Sequence, residues 1–253
     1  MSETQRKLIV NADDLGRTSG INEGIFAAHE KGLVTSATLM VIYPAAEEAA
    51  DAMKSYPDLG VGLHVQLSGG TPLLPPESIP SLVDEDGRLP AKPDGHTAAT
   101  ADQIRVEVQA QFECFCELTG QLPTHLDGHH HCLRQPMVGE ALIEVARQWQ
   151  LPIRRASSQV AEWLQQTGVP TTDLFLEDFY GAQARLDVLM QLLARVEPGT
   201  TEIMVHPGIS DDGLRSDSTY SDLREEELAT LTHPDARRAV EERHIQLIHF
   251  GQL

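Results

Sequence analysis

Short apolar runs alternate with longer amphipathic segments along almost all of this 253-residue chain. The first run, Lys7–Ala12, precedes a helical pattern at Ile21–Lys31, and further apolar runs stand at Ala37–Ile42 and Val61–Leu67. About seven or eight strand-then-helix units can be counted, because apolar runs of this length are typical of buried strands. Their order predicts an α/β fold, a TIM-like (β/α) barrel formed as a single domain over residues 1–253. An open doubly wound sheet is the alternative.

The rest of the chain continues the same alternation. Strands are predicted at Thr124–Asp127, Pro152–Arg154, Leu174–Leu176, Glu202–Val205 and Ile245–Phe250, and helices at Ala45–Ser55, Ala101–Leu118, Val138–Gln150, Arg185–Arg195, Arg224–Leu231 and Pro234–Arg243. The segment Ser68–Thr100 is rich in proline and glycine, which indicates a long loop or lid insertion in the barrel. Asp211–Ser221 is a shorter polar loop.

The charge balance excludes several classes of partner. With 38 acidic and 19 basic residues the formal net charge is −19, which repels phosphate backbones and anionic lipid surfaces. We therefore expect no nucleic-acid or membrane partner, whereas a neutral sugar remains compatible. Three cysteines are too few for a disulfide framework, so a reducing, cytoplasmic setting is expected. The first residues lack a signal-peptide pattern, and no apolar run approaches the ~20 residues of a membrane span.

Ionisable residues follow the ends of the predicted strands. Asp13 and Asp14 come just after the first strand, and His64 lies near the end of the third. Asp127–His131 ends the fourth strand, and His206 ends a later one. The carboxyl ends of parallel barrel strands converge on one face, which carries the active site in such folds. These residues are therefore predicted to meet in one bowl.

The triple histidine favours a metal role. In an extended segment, residues two apart share a side, so Asp127, His129 and His131 are expected to face together while His130 faces away. An aspartate beside ligand histidines commonly orients their imidazoles, which is the role predicted for Asp127. A polar loop without metal is the alternative interpretation of these residues. Three consecutive histidines directly after a strand favour metal ligation.

Each of the remaining site residues also has a structural interpretation. Asp13 and Asp14 could cap a helix or form a turn, but two adjacent carboxylates could also divide the work between metal binding and proton transfer. His64 stands between Leu63 and Val65, so it points inward, either as a core histidine or as a ligand. His206 at a strand end suits a general acid.

The histidines for which the sequence indicates no partner are treated as structural or solvated: His29, His96, His233, His244 and His249. Trp149 and Trp163 are assigned to the core, with a sugar platform as the alternative.

Five short motifs carry a family resemblance. They are Asn11-Ala12-Asp13-Asp14-Leu15-Gly16, Val34-Thr35-Ser36, Gly62-Leu63-His64, His125-Leu126-Asp127-Gly128-His129-His130-His131 and His206-Pro207-Gly208. In this order they resemble the YdjC-type carbohydrate deacetylases, which include chitooligosaccharide deacetylases, from Lys7 to about Phe250. The order also resembles that of the polysaccharide deacetylases.

The resemblance implies a distorted (β/α) barrel that hydrolyses acetamido groups on sugars with a divalent cation, usually Mg²⁺. Carried over by position, Asp14, His64 and His129 would be the metal ligands. Asp13 would be the general base and His206 the general acid. The resemblance also implies a homodimer. Ligand chemistry alone suits Zn²⁺ or another transition metal, so Mg²⁺ is placed first on the resemblance only.

Two other functions remain open. A metal-dependent amidohydrolase or phosphoesterase could use the same bowl, but phosphate chemistry wants a second metal or several cations, and few Arg or Lys residues stand near the motifs. Arg154 or Arg155, after a short strand, could bind substrate or a carboxylate. A non-catalytic sugar- or metal-binding barrel would leave Asp13 without a purpose.

Overall fold

The computed structural model describes residues 5–95 and 98–253. Within these ranges a parallel sheet of seven strands has the order β4-β3-β2-β1-β6-β5, with β7 also paired to β1. The strands are β1 (Arg6–Leu15), β2 (Ser36–Leu39), β3 (Gly60–Val65), β4 (Leu126–Gly128), β5 (Leu174–Leu176), β6 (Gly199–Val205) and β7 (Gln246–Leu247). The central strands are buried along nearly their whole length, as expected for a parallel sheet in which neither face is open to solvent.

Helices surround the sheet. Those described are α1 (Ser19–Lys31), α2 (Ala45–Ala52), α3 (Ala101–Thr119), α4 (Pro136–Trp149), α5 (Ser158–Thr167), α6 (Leu186–Ala194), α7 (Asp212–Asp217), α8 (Leu223–Leu231) and α9 (Pro234–Glu242). Their ends follow local chemistry. The Thr100 side chain accepts from the Gln103 amide at the start of α3, and Gly120 ends that helix in the left-handed conformation at φ 71°.

The sheet curls toward closure between β4 and β5. Leu126 in β4 forms a single parallel bridge with Ile153, and the Ile153 amide donates to the Pro170 carbonyl at 3.0 Å. On the other side of the molecule β7 pairs with Lys7 and Leu8, which also pair with β6, so β7 lies on the β2 side of β1. The prediction of a distorted (β/α) barrel is confirmed, and the open doubly wound sheet does not form.

Several element boundaries differ from the sequence prediction. The first strand extends to Leu15, so Asp13 and Asp14 lie within it and not beyond its end. Pro152–Arg154 contributes only one bridge, and the last predicted strand shortens to Gln246–Leu247. The polar loop contains helix α7, and helix α5 was not predicted at all. The sequence does carry the boundary signals of α5, because the Ser157 hydroxyl caps the first turn and Gly168 ends the helix at φ 70°.

The proline- and glycine-rich segment is irregular where it is described, with 3₁₀ turns at Pro76–Ser78 and Pro93–Gly95. The Leu73 and Leu74 amides donate to the buried Glu107 carboxylate of α3 at 3.0 and 3.1 Å. These bonds fix the start of the segment to a helix of the barrel. His96 lies outside the described residues.

No described helix is both long enough and apolar enough to cross a membrane.

Candidate metal centre and active site

A cavity of about 1000 Å³ opens at the carboxyl ends of the strands. Its lining includes Asp13, Asp14, His64, His129 and His206, five of the six residues singled out from the sequence. The sixth, Asp127, lies directly behind His64. The bowl predicted from the strand ends is therefore where these side chains meet.

Asp13 and Asp14 both reach this cavity although they are neighbours in one strand. Residues one apart on a regular strand face opposite sides. Here the pairing with β2 shifts register between Ala12 and Leu15, and Asp14 adopts a positive φ of 71°. A bulge of this kind redirects a side chain, and aspartate tolerates the left-handed region better than most residues do.

Asp14, His64 and His129 form a buried three-residue cluster. The Oδ1 atom of Asp14 lies 3.1 Å from Nδ1 of His129 and 3.5 Å from Nε2 of His64. This oxygen is buried and has no hydrogen-bond partner of good geometry. Ligands of a cation bound at ~2.1 Å are separated by roughly 3 Å, so the three atoms fit the coordination of one divalent ion.

The second oxygen of Asp14 is held by cationic side chains. Nη2 of the buried Arg224 donates to Oδ2, and Nη1 of Arg17 lies 3.7 Å away. Burial alone would raise the pKa of Asp14, but Arg224, His129 and Arg17 together hold that pKa well below its usual value. Asp14 is therefore ionised at neutral pH, as a metal ligand must be.

Asp127 fixes the orientation of His64. The His64 Nδ1–H donates to Oδ1 of Asp127 at 2.7 Å, because a carboxylate can only accept. The Thr38 hydroxyl donates to the other Asp127 oxygen at 3.1 Å. Nε2 of His64 is left to face Asp14. Burial would lower the pKa of His64, but Asp127, Asp13 and Asp14 raise it to about 9.

Asp13 forms a two-bonded salt bridge with a buried arginine. Both terminal nitrogens of Arg154 donate to its carboxylate at 2.7 Å, and the Asn11 amide adds a third bond at 2.9 Å. The same guanidinium lies 2.8 Å from Asp127 and donates from Nε to Glu202 at 2.7 Å. Of the two roles open to Arg154, carboxylate binding is the one observed.

This arrangement shifts the pKa values of two carboxyl groups in opposite directions. Burial would raise the pKa of Asp13, but the charge and hydrogen bonds of Arg154 lower it below its usual value. For Glu202 burial outweighs the Arg154 contact and raises the pKa to about 7. Asp13 therefore stays ionised at neutral pH, while Glu202 binds a proton more readily than an exposed glutamate does.

His206 lies on the far side of Asp13, with Nε2 4.0 Å from Oδ2. Its backbone amide donates to the buried Glu227, which also accepts from the Tyr220 hydroxyl. Burial lowers the pKa of His206 to about 4, despite the opposing charges of Asp13 and Asp14. The ring is therefore neutral at pH 7.

The triple histidine does not form the extended segment that the sequence predicted. His129–Arg134 is a 3₁₀ turn in which His130 and His131 adopt positive φ angles of 51° and 52°. His129 turns toward Asp14, whereas His130 contacts the Ser68 hydroxyl at 3.0 Å. His131 pairs with Glu177 at 3.0 Å. His129, His130 and His131 all line the cavity, so the expected alternation in which His130 faces away does not form.

The histidines without predicted partners make local contacts. His29 contacts the Val34 carbonyl at 2.8 Å, and His233 and His249 cap short helical segments. Trp149 stacks on Phe112, and Trp163 lines a separate surface groove. Neither tryptophan lines the large cavity.

Sequence reasoning missed much of the charged surroundings of the site. Arg17, Arg154 and Arg224 all approach the Asp pair, which corrects the expectation that few basic residues lie near the motifs. Arg224 and Glu227 lie on α8, far along the chain from the Asp pair, and no short motif marks them. Only the fold brings them close to Asp14 and His206.

A model of the YdjC-like protein family matches residues 7–242. A carbohydrate deacetylase of Geobacillus stearothermophilus is 42% identical over 248 residues, which cover 98% of each protein. A chitooligosaccharide deacetylase of Proteus mirabilis is 40% identical over 248 residues, which cover 95% of this chain and 96% of that protein.

One solved structure is similar over nearly the whole chain. It is a protein of Enterococcus faecalis V583 described as a candidate for cellobiose-phosphate cleavage. It is 33% identical, covers 98% of each chain and superposes with a TM-score of 0.93. A family 4 carbohydrate esterase from Streptomyces lividans, 12% identical with a TM-score of 0.56 over 95% of this chain and 91% of its own, shares the fold.

Proposed function

Since this chain belongs to the YdjC-like family, as its motifs predicted, we propose that it is a metal-dependent hydrolase that removes acetyl groups from N-acetylated sugars or oligosaccharides. The curated relatives named above are carbohydrate and chitooligosaccharide deacetylases. The observation that supports the proposal most directly is the unbonded Asp14 oxygen facing His64 and His129, with Asp13 beside it.

We assign Asp14, His64 and His129 as the ligands of one divalent cation. When bound, such a cation would lower the pKa of a water molecule and polarise the acetyl carbonyl. The family resemblance favours Mg²⁺, while two imidazoles and one carboxylate suit Zn²⁺ or another transition metal. Asp127 keeps Nε2 of His64 directed at the site by accepting from Nδ1.

Asp13 is assigned as the general base. It is ionised at neutral pH, and Arg154 and Asn11 hold its carboxylate in one orientation. From there it would accept the proton of the attacking water.

His206 is assigned as the general acid. An amine leaves poorly unless it is protonated, so the reaction needs a proton donor on the side of the leaving group. Nε2 of His206 lies 4.0 Å from Asp13, a gap that a small ring movement or one water spans. His206 would take the proton from Asp13 and deliver it to the sugar nitrogen.

The contacts of Arg154 count against a two-metal phosphoesterase. Asp13, His64 and Asp127 are also close enough to hold a cation. However, Nη1 of Arg154 lies 2.7 Å from Asp13 and 2.8 Å from Asp127, so a guanidinium already supplies the positive charge there. Two-metal phosphate chemistry needs ions ~3.5–4 Å apart, which this occupied position opposes.

A phosphorylated sugar nevertheless belongs among the substrates to be tested. The description of the Enterococcus protein names cellobiose phosphate as the molecule to be cleaved. Arg17, Arg88 and Lys92 all line the cavity, the last two from the proline- and glycine-rich segment. We propose that this segment acts as a lid that contributes to substrate choice.

We also propose a cytoplasmic protein that acts on small sugars. All three cysteines are free, and the acidic surface opposes nucleic-acid and membrane partners. The homodimer implied by the family resemblance stays a prediction, to be checked by sedimentation equilibrium.

The decisive experiment measures acetate release from a panel of N-acetylglucosamine oligomers and their phosphorylated forms. The protein is stripped of metal and reloaded with Mg²⁺ or Zn²⁺. We expect activity only with metal. The Asp13→Asn variant should lose turnover by at least about 10²-fold while it still binds the cation. Full activity of that variant would disprove the assignment of the base, and absence of acetate release from every sugar would disprove the proposed function.

A further inference from the structure

Two tyrosines form part of the cavity wall beside His206, and neither is used in the chemistry above. Tyr180 and Tyr220 stack with ring centroids 4.2 Å apart and planes 22° from parallel. We infer that Tyr180 is the platform on which a sugar ring stacks while its acetamido group reaches the metal centre. This inference rests on the proposed function and names the surface that would recognise the sugar.

The platform is held rigidly from below. The Tyr220 hydroxyl donates to the buried Glu227 and accepts from the Gly181 amide at 3.1 Å. Gly181 directly follows Tyr180 in the chain and has a positive φ of 62°. Its hydrogen bond to Tyr220 therefore fixes the turn that carries Tyr180 against the Tyr220 ring. Glu227 also accepts from the His206 amide, so one buried carboxyl group holds both Tyr220 and the proposed acid in place.

Tyr180 keeps a large exposed surface in spite of this stacking. Its side chain is 47% exposed, whereas Tyr220 is 9% exposed. Since Tyr220 covers one face of the ring, the other face is available to the cavity that both residues line. An apolar surface with one face covered and one open inside a polar cavity is the arrangement that a ligand with an apolar face would complete.

The position of Tyr180 matches the chemistry of an N-acetylated pyranose. Such a ring is polar at its rim, but the C–H groups on its faces are apolar and pack against aromatic rings. The Tyr180 ring lies edge-on to His206 with centroids 5.3 Å apart. A sugar stacked on Tyr180 would therefore hold its nitrogen close to the proposed proton donor and to Asp13 beyond it.

The test compares Tyr180→Ala with Tyr180→Phe in the metal-loaded enzyme. For N-acetylglucosamine oligomers, Tyr180→Ala should raise KM about three- to tenfold and leave kcat within about twofold, because stacking acts mainly on binding. Tyr180→Phe should behave like the parent, since the ring and not its hydroxyl makes the contact. Tyr56→Ala, which removes a tyrosine stacked on Phe26 outside the cavity, is the matched control.

A second measurement does not depend on turnover. Saturation-transfer NMR should show the face protons of an N-acetylglucosamine oligomer in contact with the parent and with Tyr180→Phe, but not with Tyr180→Ala. Equal transfer, or an unchanged KM in Tyr180→Ala, would overturn the inference. If the parent binds the sugar through Tyr180 but releases no acetate, the platform stands and the proposed deacetylation is what fails.

Discussion

At the scale of single residues, the site depends on how two adjacent aspartates come to share one cavity. The shifted register after Ala12 and the positive φ of Asp14 turn both carboxylates inward. One is then bound by Arg154 and the other by Arg224. Two neighbours of the same type thus acquire separate partners, and only Asp14 presents an unbonded oxygen to the histidines.

Metal affinity should increase with pH. The pKa of His64 is raised to about 9, so its ring is protonated in the metal-free protein at neutral pH. A cation must displace that proton, and one displaced proton changes the dissociation constant by about tenfold per pH unit below the pKa. Titration calorimetry with Zn²⁺ between pH 6 and 8 would measure this slope. An affinity independent of pH would contradict the assignment of His64 as a ligand.

Removing Arg154 should destabilise the fold. Arg154→Met leaves Asp13, Asp127 and Glu202 buried together without their shared cation, and breaking a buried ion pair in this way costs about 3–5 kcal/mol. Denaturant titration would measure the change in the free energy of unfolding. Arg155→Met, at the neighbouring half-buried position, is the control and should change it little.

At the scale of elements, the sequence predicted what periodicity controls and missed what tertiary contacts control. The strand at Leu174–Leu176 and the start of the helix at Ala101 were predicted without error, because an apolar run and a capping threonine are local signals. The turn at His129–Arg134 was not, since nothing in three histidines specifies left-handed backbone. Its shape follows from contacts with Ser68 and Glu177, which are distant in sequence.

The proposed lid should loosen when its anchor on α3 is changed. In Glu107→Gln, one carboxylate oxygen becomes an amide that can no longer accept from Leu73 or Leu74. We expect faster proteolytic cleavage within residues 68–100. Glu113→Gln, on the exposed face of the same helix, should be cleaved at the parent rate. Equal rates for both variants would show that Glu107 does not anchor the segment.

At the scale of the whole molecule, buried carboxyl groups make stability depend on pH. Burial raises the pKa of Glu202 and of Glu227 to about 7, above the usual value of 4.5. Between these values the folded protein holds protons that the unfolded chain releases. The contribution of these two groups to the free energy of unfolding is therefore complete below about pH 4.5 and is lost as pH rises through 7.

Urea titrations at pH 5 and pH 8 would measure this loss together with the opposite contribution of His206, whose lowered pKa favours the folded protein at the higher pH. Glu202→Gln removes one of the two carboxyl groups, so its midpoint should fall less, or rise more, from pH 5 to pH 8 than the midpoint of the parent. The exposed Glu197→Gln substitution should leave the change in midpoint as it is. A change that stays the same in Glu202→Gln would mean that Glu202 does not titrate in this range.

The barrel wall also has an uneven construction, with consequences for how it opens. β1 and β6 pair through seven consecutive residues, but among the residues that the structure describes Ile153 is the single bridge that continues the sheet from β4. The residue that follows it, Arg154, binds carboxylates from β1, β4 and β6. Along this seam, the ionic contacts of Arg154 supplement two backbone hydrogen bonds of 3.0 Å, from Leu126 to the Pro152 carbonyl and from Arg154 to the Leu126 carbonyl. Weakening these contacts to change the pKa of Asp13 would also weaken the link between β1, β4 and β6. A substitution at Arg154 therefore changes the reactivity of Asp13 and the stability of the barrel together.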